Sequence, residues 1–218
     1  MADSTCIDGI AGLALERLSL VRGDRVLFRD LDLSVSAGEA VSLEGANGVG
    51  KTSLLRAIAG LLEPQAGRIR ILQSDGGEIV DAEARGARAG WLGHQDGAKP
   101  QMTPSEILSF FARTWSRSAD VARRLSEVGL SRVRDLPVHY LSAGQKRRLA
   151  LARLILSERP LWLLDEPLSA LDQAGRTLAA GLIEAHRRAG GIIVAATHEP
   201  LGLDCRRVVL TPAARTAP

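Results

Sequence analysis

Eight consecutive residues, Gly45-Ala46-Asn47-Gly48-Val49-Gly50-Lys51-Thr52, fit the pattern GxxxxGK[ST] without a gap. Glycines let main-chain N–H groups curl around phosphate oxygens, and a following helix adds the positive end of its dipole. Lys51 can then reach the β- and γ-phosphates, and the Thr52 hydroxyl can face magnesium. Ser53 is grouped with this loop as nucleotide-binding. Further on, Leu161-Trp162-Leu163-Leu164-Asp165-Glu166 is an apolar run that ends in two carboxylates. Asp165 is suited to holding magnesium through water and Glu166 to polarising an attacking water. Each motif has a plain structural explanation, a glycine-rich turn or a strand ending in acids. In this order they point to hydrolysis of a nucleotide phosphate.

The elements around them are the ones such chemistry needs. Residues 13–44 alternate apolar and polar in short runs broken by Arg22-Gly23-Asp24 and Ala37-Gly38-Glu39, which predicts antiparallel strands and turns. Val41 and Leu43 form a strand running straight into Gly45, and residues 51–61 follow with helical spacing, Leu54, Leu55, Ile58 and Leu62 sharing a face. A strand is expected over 67–72, then a polar exposed loop over 74–88 without chemistry. Residues 103–156 read as helices. Thr103-Pro104-Ser105-Glu106 is a capping box with proline at the first helical position, a second helix covers 118–128, and a third runs from Ser142 to Leu156. Short apolar runs at 161–164, 192–197 and 208–210, with a helix at 174–188 between the first two, predict buried parallel strands. The chain therefore reads as an α/β core interrupted by a helical insertion.

Leu141-Ser142-Ala143-Gly144-Gln145, followed by the basic and apolar run 146–153, closely resembles the LSGGQ signature of the ATP-binding cassette superfamily, with Ala143 where glycine is usual. Ser142 and Gly144 open a helix and so offer an anion site, although an ordinary N-cap accounts for Ser142 equally well. The resemblance extends to Gln95, Asp172 in Ser169-Ala170-Leu171-Asp172, and Thr197-His198. It implies a P-loop NTPase (RecA-like) core with an N-terminal antiparallel β subdomain and an inserted α-helical subdomain. All 218 residues then form one ATP-binding domain, with 13–95 and 157–210 as the core and 96–156 as the helical signature subdomain. It also implies ATP and Mg2+ as ligands, with Thr52, Gln95 and Asp165 at the metal. Glu166, His198 and Gln95 become catalytic residues, and Asp172 bridges two sites. Since one P-loop and one signature are present, a head-to-tail homodimer on ATP binding is expected, each signature meeting the partner's ATP.

Within that superfamily the segments 91–99, 141–153, 161–167 and 197–201 resemble the ATPase subunits of cytochrome c maturation, which export haem or release haem-loaded chaperone. That implies an integral membrane permease and haem-handling membrane proteins as partners, no nucleic acid, and a peripheral position on the cytoplasmic face of a bacterial inner membrane. The helix carrying Phe110, Phe111 and Trp115 is expected to pack on one side and dock the permease on the other. No CxxCH is present, and His94 has two readings, packing beside Gln95 or ligating haem. His139 and His186 read as ordinary surface or helix residues. One departure concerns adenine: the aromatic residue usual upstream of the P-loop is replaced by the turn Val21-Arg22-Gly23-Asp24. Arg22 either stacks its guanidinium on the base or is a solvated turn residue, and relaxed base selectivity is expected.

Composition narrows the field. With 45% hydrophobic and 24% charged residues the chain is of the globular class, not the disordered one. No apolar run reaches membrane-spanning length and the start lacks a secretory pattern. Cys6 and Cys205 make neither a CxxC nor a metal cluster and are expected to be free thiols. The net charge of +3 is compatible with a nucleic-acid-handling cassette ATPase, but such proteins carry paired cassettes or long insertions. Two rival readings keep the same motifs: an exporter ATPase for a lipid, drug or polysaccharide, and a nucleotide-binding regulator that hydrolyses slowly or not at all.

Overall fold

A computed structural model describes residues 9–211 apart from 24, 94–96 and 119. Two sheets organise it. The first is antiparallel: β1 (Ile10–Arg22) pairs with β2 (Arg25–Ser36) and with β4 (Ala66–Gln73), and β5 (Glu78–Ile79) closes the order β2-β1-β4-β5. The second is parallel, in the order β6-β7-β8-β3-β9, from β3 (Ala40–Glu44), β6 (Ala89–Leu92), β7 (Leu161–Asp165), β8 (Ile192–Ala196) and β9 (Arg206–Val209). The expected α/β class, with an antiparallel β unit beside a parallel core, is borne out.

Strand alternation explains how the parallel sheet is covered on both faces. From β7 and β8, Leu161, Leu163, Ile192, Val194 and Ala196 point into one core shared with the antiparallel sheet and α1 (Lys51–Ile58). Trp162, Leu164, Ile193 and Ala195 point into a second core under the helices. A strand buried on both faces must be apolar at every position, which is why these runs do not alternate in sequence. The helices of the second core are α3 (Pro104–Thr114), α4 (Val121–Glu127), α5 (Ala143–Leu156) and α6 (Gln173–Arg188). Their starts follow from side-chain caps. Thr103 and Glu106 make the expected capping box, at 3.2 and 2.8 Å. Asp120 caps α4 through the Arg123 N–H at 3.0 Å.

Four expectations need correction. Residues 74–88 are not a plain loop: they contain β5 and α2 (Ala82–Arg88). The buried residue of α2 is Arg85, which carries no hydrophobic signal; its guanidinium donates to Ala57 O and Ile58 O at the end of α1, at 3.4 and 3.5 Å, and to Val80 O. Second, α1 stops at Ile58, three residues early, because Gly60 turns the chain away with φ 75°. Third, β6 escaped notice because half of it is Ala89 and Gly90, residues with little strand signal. Fourth, of the two readings of His186 the helix holds and the surface does not: it lies in α6, is 7% exposed and stacks its ring on Trp162 at 3.8 Å. His139 is exposed. In α3, Phe111 and Trp115 pack inward with ring centroids 4.9 Å apart, and Phe110 points out, half exposed. Among the described residues no helix is long and apolar enough to cross a membrane.

Candidate functional site

The site forms at the carboxyl ends of three neighbouring parallel strands, where an open α/β sheet presents loops and helix N-termini to a ligand. β3 delivers the loop 45–50 and then α1; β7 delivers Asp165 and Glu166; β8 delivers Thr197 and His198. The glycines are required by the space available. Gly45 has φ 139°, and a Cβ there would stand 2.7 Å from Leu210 O; at Gly50, with φ 115°, a Cβ would press on Leu27 and Phe28 at 3.2 to 3.3 Å. The loop thus lies against β2 at Gly50, and α1 begins at Lys51, with Lys51, Thr52 and Ser53 lining the cleft.

Two pairs of the reactive side chains are in hydrogen-bond contact. Thr52 Oγ1 donates to Asp165 Oδ2 at 2.9 Å, tying α1 to β7. Lys51, 8% exposed, donates through Nζ to Gly45 O at 2.6 Å and to His198 Nε2 at 3.2 Å. His198 Nε2 also stands 3.7 Å from Glu166 Oε1. Glu166 adopts the left-handed conformation at φ 49°, uncommon outside glycine and asparagine, and its N–H is anchored to Ala196 O at 2.8 Å. Asp165 is 7% exposed, and Glu166 opens further to solvent. A cleft of about 400 Å³ contains these groups and is lined by Asn47, Gly48, Gly50, Lys51, Thr52, Ser53, Asp165, Glu166 and His198. Ala46 contributes a carbonyl 3.5 Å from Lys51 Nζ, and Val49 is buried beneath the loop.

Arg22 ends β1 and also lines this cleft, beside Arg25, which opens β2. Sequence reasoning singled out Arg22 and missed Arg25; only the Arg22↔Arg25 pairing across the hairpin puts both guanidinium groups at the same mouth. Gln95 lies outside the described residues, as does His94.

None of residues 141–145 lines the cleft. Ser142 caps α5: its Oγ accepts from Gln145 N at 3.1 Å and its N–H donates to Gln145 Oε1 at 2.9 Å. Leu141 is buried in the helical core, Ala143 is exposed, and Gly144 packs near Ala170 O. Asp172 caps α6 through Gly175 N at 2.8 Å and accepts from Arg148 Nη2 at 2.9 Å; both bonds hold its carboxyl below the usual range, the backbone bond most.

A second residue missed from sequence is Arg147, 2% exposed, in the second turn of α5. It donates to Gly93 O at 2.6 Å, Asp165 O at 2.8 Å, Glu166 O at 2.5 Å and Pro167 O at 3.2 Å. A signal did exist, since Arg147 stands in the inward stripe with Ala150, Leu151 and Leu154, where a charge has no place unless it has partners.

A family model described as ABC transporter matches residues 28–169. The chain belongs to the ABC transporter family. It is 48% identical over 190 residues to the cytochrome c biogenesis ATP-binding export protein CcmA of Hyphomonas neptunium, covering 87% of this chain and 91% of that one. It is 49% identical over 198 residues to the protein of the same name from Rhodopseudomonas palustris strain BisB18, covering 90% and 96%. A bacterial Atm1-family ABC exporter solved with ATP bound superposes at a TM-score of 0.79 with 24% identity, over 93% of this chain and 37% of that one, and so has the same fold. The family resemblance carried by the motifs is therefore borne out.

Proposed function

We propose that this chain is the ATP-hydrolysing subunit of an ABC transporter complex for cytochrome c biogenesis, driving haem export or release of a haem-loaded chaperone. The observation that carries the ATPase reading is the convergence of Lys51, Thr52, Asp165, Glu166 and His198 in one cleft from three strands. The cytochrome c reading is supported by relatives of that name at 48% and 49% identity over most of the chain.

The loop N–H groups and Lys51 bind the triphosphate, which draws the ammonium from Gly45 O toward the β- and γ-oxygens. Thr52 Oγ1 and Asp165 Oδ2, both hard oxygen donors, fit magnesium, and among the described residues no cluster of three or more His, Cys, Asp or Glu competes for it. Were Mg2+ bound, Thr52 and Asp165 would hold it together with phosphate and water, and Gln95 would be a further protein ligand. When bound, Mg2+ neutralises charge on the β- and γ-phosphates. Glu166 orients the attacking water and accepts its proton at Oε1 or Oε2. His198, whose Nε2 stands 3.2 Å from Lys51 Nζ, contacts the γ-phosphate. Arg22 and Arg25 hold the base and ribose end without an aromatic platform.

The signature residues 141–145 act in trans. They lie outside this chain's own cleft, which supports a homodimer whose second copy completes each ATP site, with Asp172 between the two sites. The half-exposed Phe110 on α3 belongs to the surface that docks the permease at the cytoplasmic face of the inner membrane. The test is affinity purification from the native membrane together with a deletion strain. Recovery of a cytochrome c maturation membrane subunit and loss of holocytochrome are expected; a different permease with intact cytochromes overturns the cargo.

A further inference from the structure

We infer that Arg147 is a positioning residue for Glu166, locking the end of β7 to the end of β6 and to the signature helix; the inference rests on the hydrolytic reading above. One side chain on α5 reaches two other segments of the site. Its Nη2 bonds both Asp165 O and Glu166 O, Nε bonds Pro167 O, and Nη1 bonds Gly93 O, two residues before Gln95. Glu166 is left-handed, so its main chain needs external fixing. Ala196 O takes its N–H from β8, and Arg147 takes its carbonyl from α5. With both main-chain groups held from opposite sides, the carboxylate is aimed into the cleft by the fold and not by its own torsional preference.

The same helix extends the linkage. Arg148, next in sequence, reaches Asp172 at 2.9 Å, so consecutive arginines tie α5 to the strand that leads into Glu166 and to the cap of α6. Ser142 caps α5 only one turn earlier. A rigid rotation of α5, of the kind a ligand on the signature would impose, must move the Arg147 guanidinium and with it the Glu166 main chain. A planar fork spanning four carbonyls is something arginine does and lysine, with one compact ammonium, does not.

The test is steady-state and single-turnover ATP hydrolysis by the purified full chain carrying Arg147→Gln or Arg147→Lys, with Tm recorded alongside. For Arg147→Gln, kcat is expected to fall by about thirtyfold and KM to stay within about threefold, the pattern of a group whose effect is realised in the transition state. Arg147→Lys keeps the charge without the fork and is expected to lose about tenfold; it serves alone if the Gln variant does not fold. In a Glu166→Gln background, Arg147→Gln should cost less than about threefold more, since both act through one carboxylate. Turnover within about twofold of the parent, or the same loss with and without Glu166, overturns the inference. Glu166→Gln alone turning over at the parent rate would instead sink the hydrolytic role of Glu166, which keeps the two failures apart.

Discussion

His186 makes stability, and with it the alignment of β7, depend on pH in a direction fixed by its burial. The ring lies 3.8 Å from Trp162 at an interplanar angle of 8°, and its Nε2–H donates to Pro160 O at 3.2 Å, just before β7 begins. Burial lowers its pKa from 6.5 to about 4, and the single hydrogen bond to Pro160 only partly opposes this. Below pH 6.5 the unfolded chain takes up a proton that the folded chain refuses until about pH 4. Stability from this group is therefore complete above pH 6.5 and is lost as pH falls through the window down to about 4. Between about pH 7.5 and pH 5 the loss works out at about 2 kcal/mol. With a urea slope of about 3 kcal/mol/M, the unfolding midpoint should drop by about 0.7 M. Urea titrations followed by tryptophan fluorescence at both pH values measure it. The control is His186→Gln, whose amide keeps a donor for Pro160 O and does not titrate, so carboxylate effects shared by both proteins cancel. If the two proteins lost equal stability between those pH values, the burial argument would be refuted.

Lys51→Ala should abolish nucleotide binding as measured by equilibrium dialysis, because no other buried ammonium faces the loop among the described residues. Glu166→Gln should bind ATP as the parent does and accumulate an ATP-bound dimer, detectable by size exclusion with light scattering, with turnover reduced by about a hundredfold or more. Arg22→Ala and Arg25→Ala should each raise KM for ATP and GTP by a similar factor, since a guanidinium grips either base; values of kcat/KM for the two nucleotides that differ by orders of magnitude in the parent would contradict this. Ser142→Ala removes the cap of α5 and should cost about 1 kcal/mol by thermal unfolding. It should leave ATP affinity of the isolated chain unchanged, because Ser142 is outside the cleft.

The chemistry was legible in the sequence because short-range rules fix it. A loop that must admit phosphate at Gly45 and Gly50, a lysine and a threonine opening a helix, and acids ending an apolar strand are each dictated by neighbours in the chain, and all appear where the pattern put them. The caps at Thr103 and Ser142 were equally local. The strand order was not local: β7-β8-β3 brings Thr52 and Asp165, 113 positions apart, within 2.9 Å, and only packing of both sheet faces decides that order. The same holds for the buried polar side chains. Arg85, Arg147 and His186 are polar by residue type, and their burial is tolerated because carbonyls freed at the ends of α1, β6 and β7, or just ahead of β7, face them. Hydrophobic periodicity puts Arg147 in an inward stripe, but it cannot name the main-chain oxygens of distant elements that partner the charge. Sequence determined which groups could bind and cleave a phosphate; the tertiary structure alone decided which arginine and which histidine hold those groups still.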